Sequence, residues 1–111
     1  MADCIFCRLI GDPSFNAIHR DEHVLAFDDL NPQAPVHFLV VPCRHFDTIS
    51  ALDQDDLLGR LFRTAHRIAR DRGIAEGGYR LLFNQGPDAG QTVHHVHLHV
   101  LGGRQLKWPP G

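Results

Sequence analysis

The sequence predicts an α+β fold: a five-stranded, mostly antiparallel sheet with one long helix against it and a short helix near its start. Three observations carry that prediction. Across His95-Val96-His97-Leu98-His99-Val100 polar and apolar side chains alternate strictly, which is the period of a strand. Between residues 54 and 72 the apolar side chains Leu58, Leu61, Phe62, Ala65, Ile68 and Ala69 recur at helical spacing. The other β-forming runs are joined by links short enough for antiparallel neighbours, which leaves the helix to cover a sheet face. A chain of 111 residues holds one such core, so residues 1–111 are read as a single domain.

Each element has its own signal. Asp3 is placed to cap a short helix through Ile10, which Gly11-Asp12-Pro13 ends. Residues 17–20 and 24–28 read as short strands around the polar turn Asp21-Glu22-His23. Asn31-Pro32-Gln33-Ala34-Pro35 is a rigid loop, and residues 36–41 form a strongly β-branched strand closed by Pro42. Gly73 ends the long helix. Its opposite face carries Arg60, Arg63, Arg67 and Arg70, which we read as a solvated stripe. Residues 79–84 are a fourth strand and residues 95–101 a fifth. The Gly-containing loop Gln85-Gly86-Pro87-Asp88-Ala89-Gly90-Gln91-Thr92 lies between them.

Composition excludes several classes. A formal net charge of −2 argues against a nucleic-acid or membrane-coating surface. No run approaches the ~20 apolar residues needed to cross a bilayer. The first residues show neither a basic region nor an apolar stretch, so a cytoplasmic protein with reduced thiols is expected.

The chemistry concentrates in the fifth strand. Four of the nine histidines fall within residues 94–99, and period two puts His95, His97 and His99 on one side. Imidazole can be nucleophile, acid and proton shuttle near neutral pH. A merely polar face would mix Thr, Lys and Glu. A metalloprotease helix needs Glu where Val96 stands, and Gly102-Gly103 ends the segment too soon. A metal held by all three is strained, because His95 and His99 lie about 13 Å apart along a strand. Catalysis by the imidazoles is the better reading.

The preceding loop supports a phosphate. Glycines let backbone amides converge on an anion, and Gln91 and Thr92 add side-chain donors. Beside that cradle the middle histidine, His97, is best placed to attack phosphorus, with His99 or His37 stabilising charge.

The motif His95-Val96-His97-Leu98-His99-Val100-Leu101 resembles the histidine triad (HIT) signature. Cys4-Ile5-Phe6-Cys7, Leu25-Ala26-Phe27, Asn31-Pro32-Gln33-Ala34-Pro35, Gly86-Pro87-Asp88-Ala89-Gly90-Gln91 and the tail Leu101-Gly102-Gly103-Arg104 through Trp108-Pro109-Pro110-Gly111 are similar to the nucleotide-binding Hint branch of that family. The resemblance implies a HIT-like fold and hydrolysis of adenosine 5′-phosphoramidates through a nucleotidyl-histidine, needing no cofactor for catalysis. It makes His97 the nucleophile. His99, His37 and the backbone around Gly90, Gln91 and Thr92 hold the phosphate, and Asn84 contacts the ribose-phosphate end. His95 completes the catalytic set. Asp29 binds the ribose hydroxyls, and Phe27 and Leu30 line the base pocket. The resemblance also implies a homodimer, in which Trp108 closes the partner's site, with purine nucleoside monophosphates and phosphoramidates as ligands.

Two departures are visible: Thr92 stands where the branch usually has Ser, and His94 where it usually has an aromatic residue. A non-catalytic nucleotide-binding interaction module is the leading alternative. A dinucleoside polyphosphate hydrolase is another, and the Trp108-Pro109-Pro110 tail speaks against it. Cys4 and Cys7 have zinc-knuckle spacing but supply only two ligands. The resemblance completes a structural zinc site with His45 and His95; two plain reduced thiols are the competing reading.

Overall fold

The computed structural model describes residues 3–111. It contains a short helix α1 (Ile5–Ile10), strands β1 (His19–Arg20), β2 (Val24–Asp28) and β3 (Val36–Pro42), the long helix α2 (Asp55–Asp71), and strands β4 (Tyr79–Leu82) and β5 (Leu98–Gly102). The strands form one sheet in the order β1-β2-β3-β5-β4. Every neighbouring pair is antiparallel.

The sheet is buried on both faces at its centre, which explains why β2 and β3 read as continuous apolar runs. Val24, Ala26, Phe38, Val40, Leu98 and Val100 pack toward Leu57, Leu61, Ala65 and Ile68 of α2. The opposite face puts Leu25, Phe27, Leu39 and Val41 against Phe6 of α1. Two cores of unequal size share one sheet, and the smaller one carries the histidines.

Element types are as the sequence predicts, but several boundaries move. Cys4, not Asp3, is the N-cap of α1, its sulfur accepting from the Cys7 amide at 3.3 Å. The first strand keeps only His19–Arg20, and β4 ends at Leu82. Pro42 belongs to β3. The buried face of α2 runs through Leu57, Leu61, Ala65, Ile68 and Ala69, with Leu58 and Phe62 on its flank.

The most consequential shift is in the histidine row. The ladder with β3 begins only at the Val40–Leu98 pair. His95, Val96 and His97 run alongside it without joining, and the Val96 amide donates instead to the Phe46 carbonyl at 2.8 Å. The alternation of faces nevertheless persists, with Val96 packed in the α2 core and His97 ringed against Phe6.

Candidate active site

Backbone carbonyls and amides fix the protons of three histidines. The Nδ1 of His97 lies 2.7 Å from the carbonyl of His95. A carbonyl only accepts, so Nδ1 carries the proton and Nε2 keeps its lone pair. His97 is 8% exposed and lines an open cavity of about 400 Å³. The contact with the His95 carbonyl leaves His97 Nε2 with no hydrogen-bond partner among the described residues.

His37 and His99 have the complementary arrangement. The Gln33 amide donates to His37 Nδ1 at 3.0 Å, which leaves the proton on Nε2. That N–H donates to His99 Nδ1 at 3.0 Å, so His99 carries its own proton on Nε2. His99 lines the same cavity, with its ring centroid 4.9 Å from that of His97. Burial, then the neighbouring His97 and His37, holds His99 down to about 4. Burial lowers His37 too, partly opposed by the Asp29 carboxylate 3.4 Å away. The result is a pair of neutral imidazoles, His37 and His99, ending in a donor beside His97.

Asp29, His37 and His99 bring ligand-type atoms within 4.8 Å of one another. A cation there would need the lone pair of His37 Nε2 while Nδ1 already accepts the Gln33 amide. That would demand an imidazolate, so the trio suits a proton relay and not a metal.

The cavity is completed by Phe27, Asp29, Leu30, Asn84, Gly90 and Thr92, all anticipated from the sequence. Leu30 is fully exposed at the rim. The loop leading in needs glycine at Gly86 (φ +82°) and Gly90 (φ +80°), where side chains are strained.

A second cluster sits behind His97. Cys4 Sγ lies 3.3 Å and Cys7 Sγ 3.6 Å from His95 Nδ1, and Cys7 Sγ lies 3.3 Å from His45 Nδ1. The two Nδ1 atoms are 3.1 Å apart. Their outer nitrogens are spoken for: His95 Nε2 donates to the Pro42 carbonyl at 2.9 Å, and His45 Nε2 pairs with Asp47 at 2.6 Å. Two lone pairs thus converge with two thiols. A tetrahedral zinc with these ligands has edges of about 3.3–3.8 Å, and all four ligand atoms lie within 4.8 Å of one another. The residues fit a zinc ion.

The HIT domain family profile matches residues 13–106. The chain belongs to the HIT domain family. Among curated relatives it is 44% identical to the adenylylsulfatase HINT1 of Arabidopsis thaliana, over 96% of this chain and 76% of that protein. It is 46% identical to an uncharacterised HIT-like protein of Synechocystis, over 98% and 97% of the two. A HIT family hydrolase from Legionella pneumophila superposes with a TM-score of 0.91 at 43% identity, covering 98% of this chain and 100% of that one.

Three sequence expectations for this HIT protein need correction. His95 does not present its ring to the cavity; it turns into the Cys4–Cys7 cluster and serves His97 only through its carbonyl. Gln91 is no phosphate donor, because its Oε1 accepts the Gly86 amide at 2.9 Å and its Nε2 donates to the Asp47 carbonyl at 2.8 Å. It braces the loop. Nor do all the loop amides converge outward: those of Gly90 and Gln91 close the turn onto Pro87 and Gly86.

Trp108 is 82% exposed and does not line this cavity. Sequence reasoning missed Ile5, Phe6, Leu9 and Phe15, which form the cavity's apolar wall. The apolar pair inside Cys4-Ile5-Phe6-Cys7 is the one local signal for this wall, and it does not reach Leu9 or Phe15.

Proposed function

We propose that this HIT protein is a purine nucleoside phosphoramidase. The observation that carries the reading is the His97–His95 carbonyl contact, which leaves the Nε2 lone pair free at the cavity. His97 Nε2 attacks the α-phosphorus of an adenosine 5′-phosphoramidate. The P–N bond breaks, the departing amine takes a proton from solvent, to which the cavity is open, and a nucleotidyl-histidine forms. Water then attacks phosphorus, the P–Nε2 bond breaks, the water's proton returns to solvent, and AMP leaves. His99 Nε2–H stabilises charge on the phosphoryl oxygens, backed by His37. The half-buried Asp29 accepts ribose hydroxyls, with Phe27 and Leu30 against the base and Asn84 and Thr92 toward the phosphate.

The name of the Arabidopsis relative favours a second substrate of the same design, adenylyl sulfate, in which sulfate replaces the amine as leaving group. Zinc on Cys4, Cys7, His45 and His95 is structural in this reading, and no step passes through it. A homodimer gives the exposed Trp108 a partner, and its indole covers the other protomer's site. We place the protein in the cytoplasm; among the described residues no helix is long and apolar enough to cross a membrane.

The test is hydrolysis of adenosine 5′-phosphoramidate and of adenylyl sulfate by wild type and His97→Ala. Turnover by wild type of the phosphoramidate, lost in the variant, supports the reading. Binding of AMP without turnover of either substrate would favour the interaction module instead.

A further inference from the structure

We propose that metal loading of the Cys4/Cys7/His45/His95 cluster sets the affinity of the neighbouring cavity for a purine base, acting through Phe6. The proposal rests on the reading of that cavity as a nucleotide site. Cys4 and Cys7 bracket Phe6 on α1, a helix of six residues. Isolated helices shorter than ~12–15 residues are marginal in water, so α1 holds its place only through tertiary contacts. Those contacts are of three kinds: the two sulfurs converging with His45 and His95, the apolar packing of Phe6 and Leu9, and the Arg20 guanidinium donating to the Ile10 carbonyl at 3.0 Å.

Phe6 is 8% exposed, and its ring meets Phe27 edge-on at 5.4 Å and His97 at 5.3 Å. Ile5, Phe6 and Leu9 line the cavity beside Phe27. The metal tether and the base wall are therefore opposite sides of one short helix. Releasing the metal removes the tether at the start of α1, where Phe6 sits, and loosens that wall, while Arg20 still holds the Ile10 end.

His97 touches Phe6, but its tautomer is fixed independently of it. His95 keeps a second anchor at the Pro42 carbonyl, and His97 is held by the His95 carbonyl and not by its ring. Metal loss should weaken recognition of the base while leaving the His97 tautomer, and with it the phosphoryl chemistry, in place. The kinetic signature is a raised KM with kcat retained.

The experiment uses the full chain under reducing conditions, zinc-loaded or stripped by chelator. AMP and ribose 5-phosphate, which lacks the base, are titrated calorimetrically. Stripping should weaken AMP about tenfold, roughly the worth of one aromatic edge contact, and leave ribose 5-phosphate unchanged. Re-addition of zinc alone should restore AMP. In Phe6→Ala the zinc-loaded protein should already bind AMP weakly and lose little more on stripping; Phe6→Leu, which keeps more of the packing volume, gives the same comparison if the alanine variant does not fold. Equal AMP affinity with and without zinc, equal loss of both ligands, or failure to take up zinc would overturn the proposal. Zinc-loaded wild type that binds neither ligand would instead overturn the nucleotide reading, and the proposal with it.

Discussion

His95 and His97 stand two residues apart and enter opposite kinds of chemistry. At the Cys4/Cys7 cluster, His95 and His45 turn their Nε2–H groups outward to Pro42 and Asp47 and aim two Nδ1 lone pairs inward. Around the cavity, His37 and His99 run lone pair and N–H in alternation, and His97 leaves one free lone pair. Convergent lone pairs make a cation site; alternating ones make a relay. The residue type is the same in both places, and the partner on the other ring nitrogen, whether carbonyl, carboxylate, amide or second imidazole, decides the outcome.

The comparison breaks most sharply at His97. His97→Ala should lower turnover of adenosine 5′-phosphoramidate by at least about 10³-fold while AMP binding changes little, measured by product release and calorimetry. His99→Ala should cost less, since other donors share its role. Near-normal turnover in His97→Ala would put the nucleophile elsewhere.

The cation side predicts a stability effect instead. Purified, untagged protein should carry about one zinc per chain, and Cys4→Ser should lose it with a fall of roughly 10 °C in Tm. Its kcat at saturating substrate should persist, which is what separates the two clusters. Metal analysis and calorimetric melting decide the point, and a metal-free wild type would leave Cys4 and Cys7 as plain thiols.

A smaller effect tests the edge of the relay. Asp29 accepts the Asn31 amide at 2.8 Å on one oxygen and has the other toward His37. Asp29→Ala should weaken ribonucleotides by about 1.5–3 kcal/mol and spare 2′-deoxynucleotides more. Equal losses for both sugars would remove the carboxylate from ribose recognition.

A further effect is in pH. His99 is held to about 4 when folded, against about 6.5 for a free imidazole. The unfolded chain therefore binds more protons between these values, and stability falls as pH drops from about 6.5 toward 4. Above that window the His99 contribution is fully present. Denaturant midpoints measured across it should slope for wild type and slope less for His99→Asn; parallel slopes would count against the depressed value.

Local pattern was enough to read the sheet, the long helix and the face shared by His95, His97 and His99, because period and turn chemistry are written in consecutive residues. The Cys-x-x-Cys pair and the Gly-containing loop were visible for the same reason. Where each ring nitrogen points was not. Cys4 meets His95 across 91 positions of sequence and His37 meets His99 across 62, and no local signal encodes such contacts. The same holds for Gln91, whose amide is consumed by Asp47 from 44 residues away, and for Phe6, which becomes a cavity wall only once α1 is docked on the sheet. The alternation in sequence determined which side of the sheet the imidazoles take. Tertiary structure decided which nitrogen keeps its proton at His95 and His99, because their partners, the Pro42 carbonyl and the His37 ring, are brought in by β3.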